Sequence, residues 1–411
     1  MDTGVDISSI AFWSQPFEER DESFAWLRRH APVSWHPPLE TPEVPGWKPD
    51  EAGFWAITTV ADIAEVSRHH HLFSSSLGQV NLRPAPFRVS PNMLVMDPPL
   101  HSVYRRAVSD AFTPKAVGRL EGRIRRLARE IVTRAATLGE FDVAREISAK
   151  MPLRTLAGLL GVSRDEEDRF VLAADAYAGS GLPAELPAGL TMEAFHALQR
   201  EYLESLTTAV AAHRRAHPSD DLMTRLVRAR IDGRSLTDEE ILSTVLLLVV
   251  AGDETTKQAI TLSILALWAN PQQRDWLREN YASRIEGALD ELVRYASPIQ
   301  VFTRTATQDT VLHGVRLTAG DKVALFYCSG NRDETVFPDP HRLDLARPRA
   351  QHVAFGGGGV HFCLGSAVAR TQMSALFREI LVRLRRMEVG QPKYLWSDFI
   401  HGVETLPARI T

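Results

Sequence analysis

Cys363 stands between a run of glycines and a segment of helical apolar spacing, in Ala354-Phe-Gly-Gly-Gly-Gly-Val-His-Phe-Cys-Leu-Gly-Ser-Ala-Val-Ala-Arg370. Consecutive glycines let a backbone come close to something bulky. The amides and dipole at the start of the helix after the cysteine favour a thiolate. A thiolate so placed can be a nucleophile or a metal ligand. The plainer account is a packing cysteine behind a flexible loop, since free cysteine is commonly buried; His361, two residues before the sulfur, weighs against it. A phosphate-cradling loop is a third account, but the segment lacks the Gly-Lys-Ser/Thr ending of such loops.

A second candidate is Ala251-Gly-Asp-Glu-Thr-Thr256, inside an apolar stretch. A glycine in a helix interior costs ~1 kcal/mol against alanine, and burying an unpaired carboxylate costs much more. Helical spacing allows Asp253 or Glu254 to escape that cost by facing solvent. Glu291-Leu-Val-Arg294 places an acid and an arginine on one helix face, a weak signal because most such pairs are exposed. His69, His70 and His71 are consecutive. Neighbouring histidines on a helix diverge, so cationic side chains at a helix C-terminus explain them better than a metal site does.

The elements that must hold these residues are mostly helical. Helices are predicted near Glu18 to His30, Ala61 to His70 and Pro114 to Leu138, the last amphipathic. Another opens at Thr237, a cap followed by acids, and runs through Ile241 to about Trp268. A final helix follows Cys363. Short strands are predicted at Gly53 to Thr58 and Lys322 to Phe326. Ser74 to Pro99 is irregular, a length of loop that is usually functional, and Ala178 to Gly189 reads as a loop between helices.

The chain has 411 residues, 44% apolar and 24% charged, with a formal net charge of −4, which argues against disorder and bulk nucleic-acid binding. Two cysteines exclude a disulfide framework and favour a reducing compartment. Cys328, in an apolar strand-like run, is expected only to pack. The N-terminus lacks a signal peptide's pattern, and the greasiest stretch, Val245 to Ala251, is far short of a membrane span. A cytoplasmic protein without a membrane span is expected; the length by itself allows one domain or several.

The cysteine segment resembles the signature of the cytochrome P-450 family, the heme-thiolate monooxygenases. That signature has an aromatic residue, a glycine four before the cysteine, a basic residue two before and a glycine two after. Gly359, His361 and Gly365 match; Phe355 lies eight residues before Cys363 where the commonest pattern has seven, a one-residue insertion in the glycine loop. Ala251, Gly252, Glu254 and Thr255 match the family's small-Gly-x-acid-Thr motif, and Glu291 and Arg294 its Glu-x-x-Arg pair. The resemblance runs along nearly the whole chain, from Phe54-Trp55 to His401-Gly402, and implies residues 1–411 as one domain. It looks nearest to actinobacterial oxidisers of sterols and branched lipids.

The resemblance implies a mainly α fold with small β-sheets, a triangular helical prism enclosing heme b. Cys363 would be the axial iron ligand, its thiolate favouring O–O cleavage, with Phe355, Gly365 and Ala251 beside the heme. His101, Arg105, Arg304 and His361 would hold the propionates. Glu254 and Thr255 would be the catalytic acid–alcohol pair, Thr255 beside dioxygen and Glu254 passing protons through water. Release of the Ala251 carbonyl by Thr255 would open the helix. Arg342 would complete a structural triad with Glu291 and Arg294. The substrate pocket would draw on Leu77 to Met96, Ala176 to Phe195, Leu247 to Ala251, Ile299 to Phe302 and Phe399 to Val403, largely apolar segments that suit a lipid, sterol or terpenoid-like molecule. Dioxygen would be consumed, and electrons would come from a ferredoxin and its reductase, docking near Lys115, Arg119, Arg123 and Arg370. Two other classes remain: a peroxide-driven heme-thiolate enzyme, and a heme-binding sensor or carrier without turnover.

Overall fold

The computed structural model describes residues 3–40, 53–78, 80–82, 92–178, 191–231 and 233–411. They form two compact units: Met1–His101 with Leu262–Cys363 and Pro392–Glu404, and Ser102–Thr261 with Leu364–Gln391 and Thr405–Thr411. Helix predominates and the sheets are small, as the apolar spacing implies.

The first unit is built on a five-stranded sheet in the order Val33–His36, Phe54–Ile57, Lys322–Phe326, Val301–Ala306, Phe73–Ser74. Phe54–Ile57 and Lys322–Phe326 run parallel; the other pairs are antiparallel. Both faces are covered. Phe54, Ala56, Val301, Ala324 and Phe326 pack with Trp13 and Phe24, while Ile57, Val323 and Leu325 pack with Ile63, Phe73 and Phe337. Burial of both faces is why Lys322-Val-Ala-Leu-Phe326 reads as an unbroken apolar run rather than an alternating one. Both predicted strands are present. Cys328 packs as expected, among Trp13, Phe24 and Phe326, but in a helical turn, Tyr327–Gly330, rather than a strand. Burial pushes its thiol pKa up to about 12.

In the second unit the helix Pro114–Ala135 packs against the helix Ser366–Arg383. Thr113 caps the former, its hydroxyl accepting from the Ala116 amide, and Pro114 occupies the first turn, where no amide is needed. Its buried stripe is Val117, Ile124, Ala128, Ile131 and Val132; the facing helix buries Met373, Leu376, Phe377 and Ile380. Each of these side chains larger than alanine contributes roughly 1.5–3 kcal/mol of burial.

The helix predicted to run unbroken to Trp268 is two helices, Asp238–Gly252 and Glu254–Ala269, separated at Asp253, whose ψ is −80°. The N-terminus is as predicted: the Thr237 hydroxyl accepts from the Glu240 amide and the Glu240 carboxylate accepts from the Thr237 amide. The break follows from local chemistry. Gly252 is a poor helix former, and the Thr255 hydroxyl donates to the Ala251 carbonyl at 2.8 Å, competing for a helix acceptor, so the helix opens with that carbonyl bonded and not, as expected, released by Thr255. Among the described residues no helix is long and apolar enough to cross a membrane.

Candidate active site

The glycine loop is pressed onto the helix Val60–Arg68. A Cβ on Gly357 would lie 2.7 Å from the Ile63 carbonyl oxygen, and one on Gly359 would strike the Ser67 carbonyl. The loop closes on itself where the Cys363 amide donates to the Phe355 carbonyl at 2.9 Å. Phe355, although one residue further from the sulfur than in the commonest pattern, thus remains bonded to the cysteine through its backbone. Cys363 is exposed. The helix Ser366–Arg383 begins three residues on, with Gly365 as its N-cap. A buried packing cysteine is therefore excluded for Cys363, in contrast to Cys328.

His101 is buried in the first turn of the helix Leu100–Ser109, and its ring lies 4.3 Å from that of His361, tilted by 47°. Arg105 follows one turn later, half-buried. Arg304, in the strand Val301–Ala306, is 7% exposed, and its side chain donates to the Thr303 carbonyl at 2.7 Å. Among the described residues no carboxylate lies within salt-bridge distance of it. Burial lowers its pKa, opposed by Tyr327 and Asp97. A buried guanidinium so placed favours an anion.

At the helix break, Ala251 and Gly252 are exposed, and a Cβ on Gly252 would meet nothing within 4 Å. Asp253 is 1% exposed, so it does not face solvent. The half-buried Glu254 carboxylate accepts from Gln258 Nε2 at 2.6 Å and pairs with Lys257 Nζ at 3.2 Å. The acid and the alcohol are thus both held by neighbours within one turn. The sequence marks the oddity of two acids in an apolar helix, but not the partners Lys257 and Gln258.

Glu291 and Arg294 form a buried bidentate pair, with N–O distances of 2.7 and 2.8 Å. The third cation is Arg347, not Arg342. Arg347 Nε reaches Glu291 Oε1 at 3.2 Å, and its Nη groups donate to the carbonyls of Pro338, Asp339 and Arg342. Arg342 is exposed; its backbone closes a turn onto Asp339. Both arginines lie in an irregular stretch without periodicity, so spacing could not choose between them.

The two late turns assigned to the substrate meet. Ile299 bridges Ile400, the Gln300 amide donates to the Phe399 carbonyl at 2.9 Å, and the rings of Phe302 and Phe399 pack edge-on at 5.3 Å. Residues 83–91 and 179–190, central to two other substrate segments, lie outside the described residues. On the basic face, Arg119 pairs with Asp220 and Arg123 with Glu167, while Lys115 is exposed and Arg370 half-buried. The helix Val60–Arg68 ends just before His69, which pairs with Glu65, as the C-terminal account of the histidine run requires. Among the described residues no cluster of three or more histidine, cysteine or acidic side chains suits a metal ion.

These groups fit a heme rather than a bare ion: a single exposed thiol after a tightly seated loop, and a buried guanidinium and two imidazoles suited to propionates. The comparisons agree. The family described as Cytochrome P450 matches residues 186–393. The methyl-branched lipid omega-hydroxylase of Mycobacterium tuberculosis is 38% identical over 98% of this chain and 94% of its own length. The steroid C26-monooxygenase of Mycolicibacterium smegmatis is 35% identical over 93% of this chain and 88% of its own. A Mycobacterium marinum cytochrome P450 solved in complex with pseudoionone superposes with a TM-score of 0.90 at 41% identity, covering 99% of this chain and 98% of that one. The chain belongs to the cytochrome P450 family of monooxygenases, whose cofactor is a heme iron.

Proposed function

We propose that the protein hydroxylates an apolar, lipid-, sterol- or terpenoid-like molecule, with heme b held through Cys363, dioxygen as oxidant and electrons delivered by a ferredoxin and its reductase. The observation that carries this reading is the cysteine loop, with its thiol exposed and its backbone locked by the Phe355 carbonyl. When bound, the heme supplies dioxygen activation and the oxidising power to attack an unactivated C–H bond.

The chain's own residues do the rest. Cys363 supplies the thiolate, and His101, Arg105, Arg304 and His361 hold the propionates, with Phe355, Gly365 and Ala251 giving the macrocycle room. Thr255 Oγ1 donates its hydrogen bond to the Ala251 carbonyl, so its lone pairs are left to accept one. Glu254 is the proton reservoir. Its carboxylate is held by Lys257 and Gln258, and in this reading it passes protons through water toward Thr255. Ile299, Phe302, Phe399 and Ile400 present half-buried apolar surface, which suits an apolar ligand oriented by few polar contacts. The names of the two relatives above, a branched-lipid hydroxylase and a steroid monooxygenase, point to the same ligand class. The exposed Lys115 offers positive charge to an acidic ferredoxin, and the half-buried Arg370 adds to the positive charge of this face. Arg119 and Arg123 are occupied by Asp220 and Glu167, so their contribution requires partner exchange.

The reduced protein with carbon monoxide should show the red-shifted Soret band of thiolate-ligated heme, and Cys363→Ala should abolish it; a variant that keeps the band overturns the ligand assignment. Oxidation of a panel of sterols, branched fatty acids and terpenes should require reduced ferredoxin and dioxygen. Turnover with hydrogen peroxide alone would identify a peroxide-driven enzyme, and heme binding without turnover under either condition a sensor or carrier.

A further inference from the structure

Among the described residues, no carboxylate lies within salt-bridge distance of Arg20, a cation in the core. It lies in the helix Phe17–His30 and is 6% exposed. Its Nη1 donates to Gln300 Oε1 at 2.6 Å, and its guanidinium lies 5.1 Å from the Trp13 ring and 5.7 Å from that of Phe17. Among the described residues its Nε has no hydrogen-bond partner. Burying a guanidinium on such terms is costly, and a purely apolar side chain would fill the same place without that cost.

What the cation does is fix an amide. Gln300 is 0% exposed and bonded in every direction. Its backbone amide donates to the Phe399 carbonyl at 2.9 Å, and its own carbonyl accepts from the Cys328 amide at 3.3 Å. Its Nε2 donates to the Ser397 carbonyl at 2.7 Å. A glutamine amide can turn over and exchange its oxygen and nitrogen. With Arg20 donating to one end, the oxygen must face Arg20 and the NH2 must face Ser397. Without Arg20, Gln300 Oε1 is left buried without its donor, and the side chain is tethered at Ser397 alone. The residues beside Gln300 and these bonds are Ile299 and Phe302 on one turn, Phe399 and Ile400 on the other.

We propose that Arg20 and Gln300 are positioning residues that fix the register of the turns 299–302 and 399–403, and so select the shape of the ligand that those turns accept. The inference rests on the monooxygenase reading, in which these turns face the ligand. It concerns two residues that no motif marks and that stand 280 positions apart.

The test uses the heme-loaded, full-length protein. Binding of testosterone, hexadecanoic acid and farnesol is titrated through the heme spin-state shift, and imidazole through direct ligation of the iron, which needs neither turn. Arg20→Met should change the ratio of affinities among the three apolar ligands by fivefold or more, with imidazole affinity within twofold and the carbon monoxide spectrum unchanged. Gln300→Glu keeps an acceptor for Arg20 but sets an oxygen against Ser397, and should re-rank the ligands likewise. Arg20→Lys, which can still donate to Gln300, should restore the wild-type ratios to within twofold. Ratios that stay within twofold of wild type in both Arg20→Met and Gln300→Glu overturn the proposal, whatever happens to the melting temperature, because a merely stabilising pair would leave ligand rank alone. If Arg20→Met yields no holoprotein, Gln300→Glu decides by the same criterion. A wild type without the thiolate-type band sinks the monooxygenase reading instead.

Discussion

His401 carries its proton on Nδ1, because that nitrogen lies 2.7 Å from the Ala296 carbonyl, which can only accept. Its ring stacks on Phe17 at 4.3 Å and is buried. Burial first, then the charge of Arg20, lower its pKa to about 3; the Ala296 bond opposes them, and Arg332 adds a smaller lowering. The imidazole is therefore neutral in the folded chain. The unfolded chain takes up the proton near the ordinary value of about 6.5. Between those two values the unfolded state holds more protons than the folded one, so stability falls as pH falls, by up to about 1.4 kcal/mol per pH unit from this group. Above about pH 6.5 the effect vanishes. His401→Gln should start from a lower melting temperature, having lost the stacked ring, yet show a shallower decline from pH 6.5 to 4 than wild type; parallel declines would show that His401 is not the titrating group. None of this was legible in the sequence, where His401 was only one residue of an apolar turn. Cys363 was legible because its neighbours are unusual in composition, whereas the state of His401 depends on which distant cations surround it.

Among the elements, the stretch from Pro338 to Pro348 has little regular structure and is held by side chains, Arg347 making the most bonds to it. Arg347 joins three carbonyls of that stretch to Glu291, itself paired with Arg294 in the helix Tyr281–Ala296; the Asp344 amide also donates to Glu291, at 3.1 Å. Without Arg347, Glu291 keeps Arg294 but loses a charge-assisted bond, and three carbonyls of the stretch lose their donor. Arg347→Met should therefore destabilise the protein by about 2–4 kcal/mol. Arg342→Met, at an exposed position, should stay within about 0.5 kcal/mol. Denaturant midpoints of the two variants check the order, and equal losses would refute it. Caps and strands were readable from local composition: Thr237 followed by acids, and the run Lys322 to Phe326. The break at Asp253 was not, because helical periodicity is the same on both sides of it. Its local signs, Gly252 and a hydroxyl at Thr255, became decisive only once the bond to the Ala251 carbonyl was seen.

At the scale of the whole molecule, neither unit is a continuous length of chain. The helix Pro114–Ala135 finds its partner in Ser366–Arg383, and the three-stranded sheet of the second unit joins Glu140–Asp142 to Met387–Val389 and Pro407–Ile410. A fragment ending at Thr261 thus lacks the surface that covers its own amphipathic helix, and should be protease-sensitive and bind dyes that report exposed apolar surface. A stably folded fragment would contradict the assignment. Motif order along the chain showed which family fold to expect, and composition showed that helix would dominate. Pairings between residues hundreds of positions apart had no local trace. The glycine loop carries a last consequence, for inheritance. No single-base step from a glycine codon leads to another residue without a Cβ, and at Gly357 and Gly359 a Cβ collides with the helix Val60–Arg68. A random mutant library of this gene should be bare at both positions, so the longer loop can be kept whole or lost in one step, but not worn away gradually.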